Sequence, residues 1–255
     1  MTKTECETLV EYVLNAGRKM MECGAEAWRA DNTMERILQA YGLEVLDAHT
    51  MATQTAVTAR APDGTCCTAT RSIRPNRTGT DLARLEAINA TARAICEAPP
   101  PVSELPALPK RSEPRWSWRE FLGYILGSGA FAVFFGGSLL DGFLCSLIGA
   151  AIYFMEQGRA FFAQHRILYT MEACFLSGVL ARLLTAALVC PVRLDMIMIG
   201  DIMLFIPGLA VINGVRELFY TDILTGIYRM VEAVLGAGAI AVGYALSLMI
   251  GGGVL

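Results

Sequence analysis

The chain has 255 residues, 54% of them hydrophobic and 18% charged, with a formal net charge of −3. A soluble domain carries about 25% charged residues, and a negative balance gives no electrostatic footprint for nucleic acid, so an ordinary soluble domain and a nucleic-acid binder are both excluded. Of the 21 basic residues 14 precede Trp116 and 7 follow it; of the 24 acidic residues 15 precede it and 9 follow; no lysine lies beyond it. One part reads as water-soluble and the other as a membrane bundle. The eight cysteines include no C-x-x-C, and His49 and His165 stand alone. No zinc site can be composed from them, and neither a metal nor a cofactor is expected. The cysteines read as small buried hydrophobes in a cytosol-facing protein.

In the first part, Leu9, Val13, Ala16, Met20 and Cys23 recur at helical spacing, with Gly24 as the C-terminal cap. Asn32 followed by Glu35 resembles a capping box, and Met34, Ile37, Leu38 and Tyr41 give a second apolar stripe that ends at Gly42. Residues 43–73 change period and are rich in threonine; Pro62-Asp63-Gly64 supplies a turn, so a β-hairpin follows a shorter first strand. Leu82, Leu85, Ile88, Ala92 and Ile95 mark a closing helix. The order α-α-β-β-β-α defines a small α+β domain over residues 1–98. Arg71, Arg74 and Arg77 form a basic cluster that reads as a solvated strand end. Residues 99–115 are proline-rich and read as an extended, semi-rigid spacer.

Residues 116–255 form the membrane part, with five spans expected over about 120–140, 142–156, 172–192, 194–215 and 230–253. The fold class is thus an α-helical integral membrane bundle with an N-terminal cytoplasmic α+β domain. The N-terminus has no apolar segment of the signal-peptide kind. Lys110, Arg111, Arg115, Arg119, Arg159, Arg166, Arg216 and Arg229 all fall on the cytoplasmic side when the N-terminus is inside; only Arg193 falls outside. The positive-inside rule therefore gives a cytoplasmic N-terminus and an external C-terminus. Gly123 and Gly127 form a G-x-x-x-G, and Ala233, Ala237, Ala241 and Ala245 repeat every four residues, as close helix contacts require.

Ionisable groups within apolar spans cost roughly 2.5–3.5 kcal/mol each on insertion scales, so each needs a reason. Arg182 and Asp201 are the deepest by position. Either they neutralise each other, or they line a solvated path in which Arg182 holds a carboxylate and Asp201 takes protons. Pro207 lacks a backbone donor and Gly208 frees the chain, so the fourth span breaks there. Broken helices at mid-membrane present bare backbone groups to substrates in many secondary transporters. Arg229 and Glu232, three apart, are expected to pair. Two isolated histidines without a nucleophile–base pair argue against a membrane enzyme.

Pro207-Gly208-Leu209-Ala210 with Asn213-Gly214 and Arg216, then Asp222, Gly226 and Arg229, resemble the signature of the threonine/serine exporter family. Gly136-Gly137 with Asp141, Glu172 at the third span, and Gly24-Ala25-Glu26 with Arg29, Asp31, Thr33 and Arg36 extend the resemblance over about residues 8–250. It departs at Glu217, where the family has aspartate, and at Thr221, where glycine is expected. The resemblance implies proton-driven export of small polar metabolites, either threonine/serine-type amino acids or dicarboxylates such as succinate, across the bacterial inner membrane. It implies further that the chain is the larger subunit of a two-component form, completed by a small membrane subunit, with a homo-oligomer of the pair left open. Substrate-binding candidates are then Arg182, Pro207, Gly208, Asn213 and Arg216. Proton-coupling candidates are Asp201, then Glu172 and Asp141, although Asp141 also reads as the cap of the turn between the first two spans. The alternative is a membrane-anchored ligand sensor or scaffold using the cytoplasmic domain.

Overall fold

A computed structural model of the chain describes residues 2–73, 80–110, 116–162, 166–188, 191–219 and 222–250. Arg74, Arg77, Arg111, Arg115, His165 and Thr221 lie outside them, as does the side chain of Arg159. The chain divides into two compact units, one of Met1–Glu113 with Val211–Met230, the other of Pro114–Ala210 with Val231–Leu255.

The first unit opens with α1 (Lys3–Glu22) and α2 (Ala27–Ala40), followed by β1 (Glu44–Thr50), β2 (Gln54–Arg60), β3 (Cys66–Ser72) and α3 (Leu82–Glu97). Thr2 and Glu5 form a reciprocal capping box at the start of α1. Both α1 and α2 end in a Schellman motif. Gly24 (φ +90°) and Gly42 (φ +75°) take the left-handed position, and the amides of Ala25 and Leu43 donate back to the carbonyls of Met20 and Leu38 at 3.0 and 3.1 Å. The three strands form an antiparallel meander in sequence order, with Glu44 opposite Arg60 and paired to it at 3.1 Å. The β2–β3 turn is closed by the Thr65 amide donating to Asp63 Oδ1 at 2.9 Å, with Gly64 at φ +87°. Leu9, Val13, Leu14, Met34, Ile37, Leu38, Val57 and Ile95 fill the core between helices and sheet.

Three sequence expectations shift here. All three strands have seven residues, so β1 is not the shorter. The helix read as starting at Asn32 begins at Ala27, which places the Asn32/Glu35 pair in its interior. The proline-rich segment is interrupted by a 3₁₀ turn at Val102–Glu104 and is fastened to this unit. Prolines offer carbonyls without N–H groups, and these accept from Tyr41 Oη (Pro100, 2.7 Å), Tyr12 Oη (Pro106, 2.9 Å) and Arg84 Nε (Pro109, 3.2 Å).

The second unit is helical: α4 (Trp118–Phe134), α5 (Leu139–Phe162), α6 (Arg166–Ala187), α7 (Leu194–Phe205), and the adjoining parts of α8 (Gly208–Phe219) and α9 (Ile223–Ile250). Among the described residues, three stretches are long and apolar enough to cross a membrane: Leu139–Gly158, Arg166–Ala187 and Ile223–Ile250. A fourth is added if the α7–α8 pair counts as one span. The five expected spans are thus three or four by length; α4 has 17 residues, about 25 Å of helix. The first turn lies at Gly136-Gly137, before Leu139, rather than at Asp141. Trp116, Phe121, Tyr153 and Phe154 form an aromatic cluster at the start of α4, with ring centroids 5.3–5.8 Å apart, the amphipathic ring chemistry of a membrane interface.

Helix contacts run through small residues, but of those singled out by spacing only Ala233 is buried. Gly123 has open space where a Cβ would stand, and Gly127 meets only Leu204 at 3.6 Å. A Cβ on Gly129 would instead overlap Ser146 Oγ and lie 2.7 Å from the Gly142 carbonyl, and one on Gly149 would lie 2.6 Å from the Tyr124 carbonyl. On α9, Ala237, Ala241 and Ala245 are exposed, while a Cβ on Gly243 would lie 2.5 Å from the Met171 carbonyl and one on Gly178 would overlap Ser247 Oγ. Backbone cannot yield as a flexible side chain does, so Gly129→Ala is expected to cost about 1–3 kcal/mol. The purified chain in detergent should melt several degrees lower with Gly129→Ala and unchanged with Gly123→Ala; equal melting of the two variants would contradict this packing.

Candidate functional site

Helix α7 stops at Phe205 because the next donor, Pro207, has no N–H, and Ile206 takes the extended conformation required before a proline (φ −60°, ψ 125°). Helix α8 restarts at Gly208, whose amide donates to the Ile206 carbonyl at 2.8 Å, and the two axes are bent by 51°. The break expected at Pro207-Gly208 is therefore present. Within the second unit Pro207 borders a small recess of about 40 Å³, room for a few water molecules. Its apolar wall comes from Ile167, Phe205, Ala210 and Ala233; its polar side is Arg166, Thr170 and Glu232. Arg166 Nη1 lies 3.5 Å from Glu232 Oε1, and both side chains remain more than a third exposed.

Asp201 sits on α7 four residues before its end and is fully buried. The Cys145 thiol on α5 lies 3.2 Å from its Oδ1, while its Oδ2 has no hydrogen-bond partner among the described residues. That thiol also approaches the carbonyls of Ser128 and Ile197 at 3.2 and 3.4 Å. A Cβ on the neighbouring Gly200 would lie 2.6 Å from Cys145 Sγ and 2.8 Å from the Ser128 carbonyl, so α4, α5 and α7 converge on Asp201. Arg182 does not reach it. Its guanidinium donates to the carbonyls of Leu248 (2.7 Å) and Ser247 (3.4 Å), near the end of α9 where donors run out. Glu172 is exposed on α6. Asp141 is fully buried and wholly engaged: its Oδ2 accepts from the Ser138 amide (2.7 Å) and hydroxyl (2.8 Å), and its Oδ1 from the Arg193 amide (2.9 Å). With the Asp141 amide donating to Ser138 Oγ, this is a capping box at the start of α5.

The remaining signature residues assemble in the first unit. The turn after α1 leaves the carbonyls of Gly24 and Ala25 to be satisfied from elsewhere, and Glu26, the N-cap of α2, makes no side-chain capping bond. The segment 211–230 supplies the missing partners. Asn213 Nδ2 donates to the Gly24 carbonyl at 3.3 Å, and Arg229 Nη2 to the Ala25 carbonyl at 2.5 Å. Glu217 Oε1 accepts from the Ala27 amide at 3.1 Å, so a carboxylate from α8 caps α2 and faces the positive end of its dipole. Arg216 pairs with Glu26. Arg229 Nε lies 3.2 Å from Glu217 Oε2, a charge contact without the angle of an aligned hydrogen bond. Asp222 caps α9 through the Thr225 amide at 3.0 Å, and Thr225 Oγ1 accepts from the Ala52 amide at 3.0 Å.

Of the substrate-binding candidates, only Pro207 lines the recess. Asn213 and Arg216 engage Gly24 and Glu26, and Arg182 caps helix carbonyls. The expected Arg229–Glu232 pair is replaced by Arg229–Glu217 and Arg166–Glu232. Residues i and i+3 share a helix face, but a cross-helix partner stands closer to each. Sequence reading missed the site roles of Arg166, Thr170, Glu26 and Glu217; the departure at Glu217 from the expected aspartate was the one signal pointing to it. Arg71 pairs with Glu11 at 2.9 Å. No group of three His, Cys, Asp or Glu among the described residues could hold a metal ion.

Asp31 on α2 is the perturbed acid of this unit. Burial pushes its carboxyl up to about 6, against the opposing effects of a hydrogen bond from Thr50 and the nearby His49. Between about 4 and 6 the folded chain therefore holds more protons here than the unfolded chain, and stability falls as pH rises through that window. Asp31→Asn removes the penalty. The expected gain is roughly 2–4 °C at pH 8, equivalent to about 1 kcal/mol after solvent screening, and none at pH 4. A gain of the same size at both pH values would contradict the assignment.

Three described helices are long and apolar enough to cross a membrane, and a further helix pair of that character is interrupted at a proline. Residues 11–251 match the family described as "Putative threonine/serine exporter" (ThrE), and the chain belongs to that transporter family. Searches of curated proteins and of solved structures return no match to it.

Proposed function

We propose that the chain is a subunit of a secondary active exporter of small polar metabolites, driven by protons and completed by a small membrane subunit. It would lie in the bacterial inner membrane with its N-terminus cytoplasmic and its C-terminus outside. The observation that carries this reading is the α7–α8 break, bordered by Arg166, Thr170 and Glu232. One cation and one anion 3.5 Å apart match the two charged ends of an amino acid, and a threonine hydroxyl nearby suits a hydroxylated side chain. For a dicarboxylate such as succinate, Glu232 would be repulsive, so threonine/serine-type amino acids are the preferred cargo. In this reading substrate displaces the Arg166–Glu232 contact, and Pro207 and Gly208 form the hinge. Asp201 carries the proton that couples entry on one side to release on the other. Glu172 is the reserve coupling group; Asp141, saturated by three donors, holds the turn instead.

The test is efflux of labelled serine, threonine and succinate from preloaded cells, with the chain alone and with its small subunit, before and after the proton gradient is collapsed. Serine and threonine efflux that needs both chains and the gradient is expected. Membrane-inserted protein that moves none of the three overturns the export reading, and flux indifferent to the gradient overturns the coupling.

A further inference from the structure

The first unit contains a second feature that the transport reading does not use. On α2, Arg29, Asn32, Thr33 and Arg36 stand three, four and seven residues apart and share one face; on α3, Asn89, Arg93 and Cys96 do the same. These faces meet over a cleft of about 360 Å³, with Ala92 in its floor and Trp28 at its rim. Facing surfaces of packed helices are normally apolar; this one carries three guanidinium groups and two carboxamides, and none of the described residues lining it is acidic.

The other arginines of the unit show how the fold treats a guanidinium. Arg18, Arg60, Arg71, Arg216 and Arg229 each meet a carboxylate, and Arg84 donates to the Pro109 carbonyl. Arg29 lies 3.9 Å from Glu26 and 5.6 Å from the Trp28 ring. Arg36 and Arg93 alone, among the described arginines of this unit, make no hydrogen bond or ion pair with the described residues, and both line this cleft, Arg36 beside the Cys96 thiol. We propose that the α2–α3 cleft binds a small anion carrying one or more phosphate or carboxylate charges, gripped by Arg36 and Arg93 with Asn32 and Asn89 at its edges. The planar fork of arginine suits such oxyanions, and the volume lies at the low end of small-molecule sites, about 300–1,000 Å³. The occupant is a metabolite-sized anion or the headgroup of an anionic lipid, which share this chemistry.

The experiment uses the full chain in phosphatidylcholine nanodiscs. Pyrophosphate and citrate are titrated calorimetrically, and phosphatidylglycerol is added to a second set of discs as the lipid arm. Arg36→Gln/Arg93→Gln is compared with Arg60→Gln, an exposed arginine outside the cleft. Binding of pyrophosphate or citrate that weakens at least tenfold in the double variant, and not in Arg60→Gln, supports a metabolite site. Binding displaced only by phosphatidylglycerol, with the same dependence on Arg36 and Arg93, supports the site with a headgroup as occupant. A correctly melting double variant that binds every probe as the parent does, or a parent that binds none, overturns the proposal.

Discussion

Serine or threonine efflux should fall at least tenfold in Asp201→Asn, with the protein still inserted and folded. Asparagine matches aspartate in size, and its carbonyl oxygen can still accept from Cys145, which now lies 3.2 Å from Oδ1. The substitution removes only the capacity to gain and lose a proton. Asp201 is fully buried where α4, α5 and α7 converge, and one of its oxygens has no partner among the described residues. An acid kept at such a position without a structural partner for both oxygens asks for a functional reason. Substrate exchange, which needs no net proton movement, should survive in the variant while gradient-driven efflux does not. Undiminished efflux would remove Asp201 from the coupling step and bring Glu172 forward.

The largest loss of stability is expected at Arg229. Replacing it by methionine keeps the aliphatic length but strands Glu217, a carboxylate only 1% exposed, and frees the Ala25 carbonyl. Breaking a buried pair from one side costs about 3–5 kcal/mol, which for a chain of this size lowers the melting temperature by on the order of 10 °C. Arg229→Met/Glu217→Gln should recover part of that loss, because the amide still accepts from the Ala27 amide while the stranded charge is gone. If Arg229→Met melts with the parent, the pair holds nothing together; if the double variant melts below the single one, the stranded charge is not the cause.

Legibility followed the range of the interactions. The α1 and α3 stripes, the glycines that end α1 and α2, and the break at Pro207 are local, and spacing and backbone chemistry announce them. The start of α2 did not announce itself, because its cap is Glu217, 190 residues away, while Asn32 and Glu35 imitate a cap inside the helix. Gly123 and Gly127 have the right spacing for a close crossing, yet spacing cannot say which face meets a neighbour, and Gly129 and Gly149 take that role. The same holds for Arg229 and Glu232, correctly placed on one face but claimed by partners from other helices. Conversely, the four-residue run from Ser138 to Asp141 carried its own cap, and its buried acid was recoverable from sequence as structural.

The dependence of α2 on Glu217 bears on what a fragment of this protein can be. A truncation ending near residue 110 would carry the sheet and three helices but leave the Gly24 and Ala25 carbonyls and the Ala27 amide without the groups that satisfy them, and Glu26 with Arg29 alone. Such a fragment should be poorly behaved alone. A single nick in the proline-rich strap should leave both pieces migrating together, because the first unit is stitched from sequence-distant segments and the severed half retains its ligatures to 211–230.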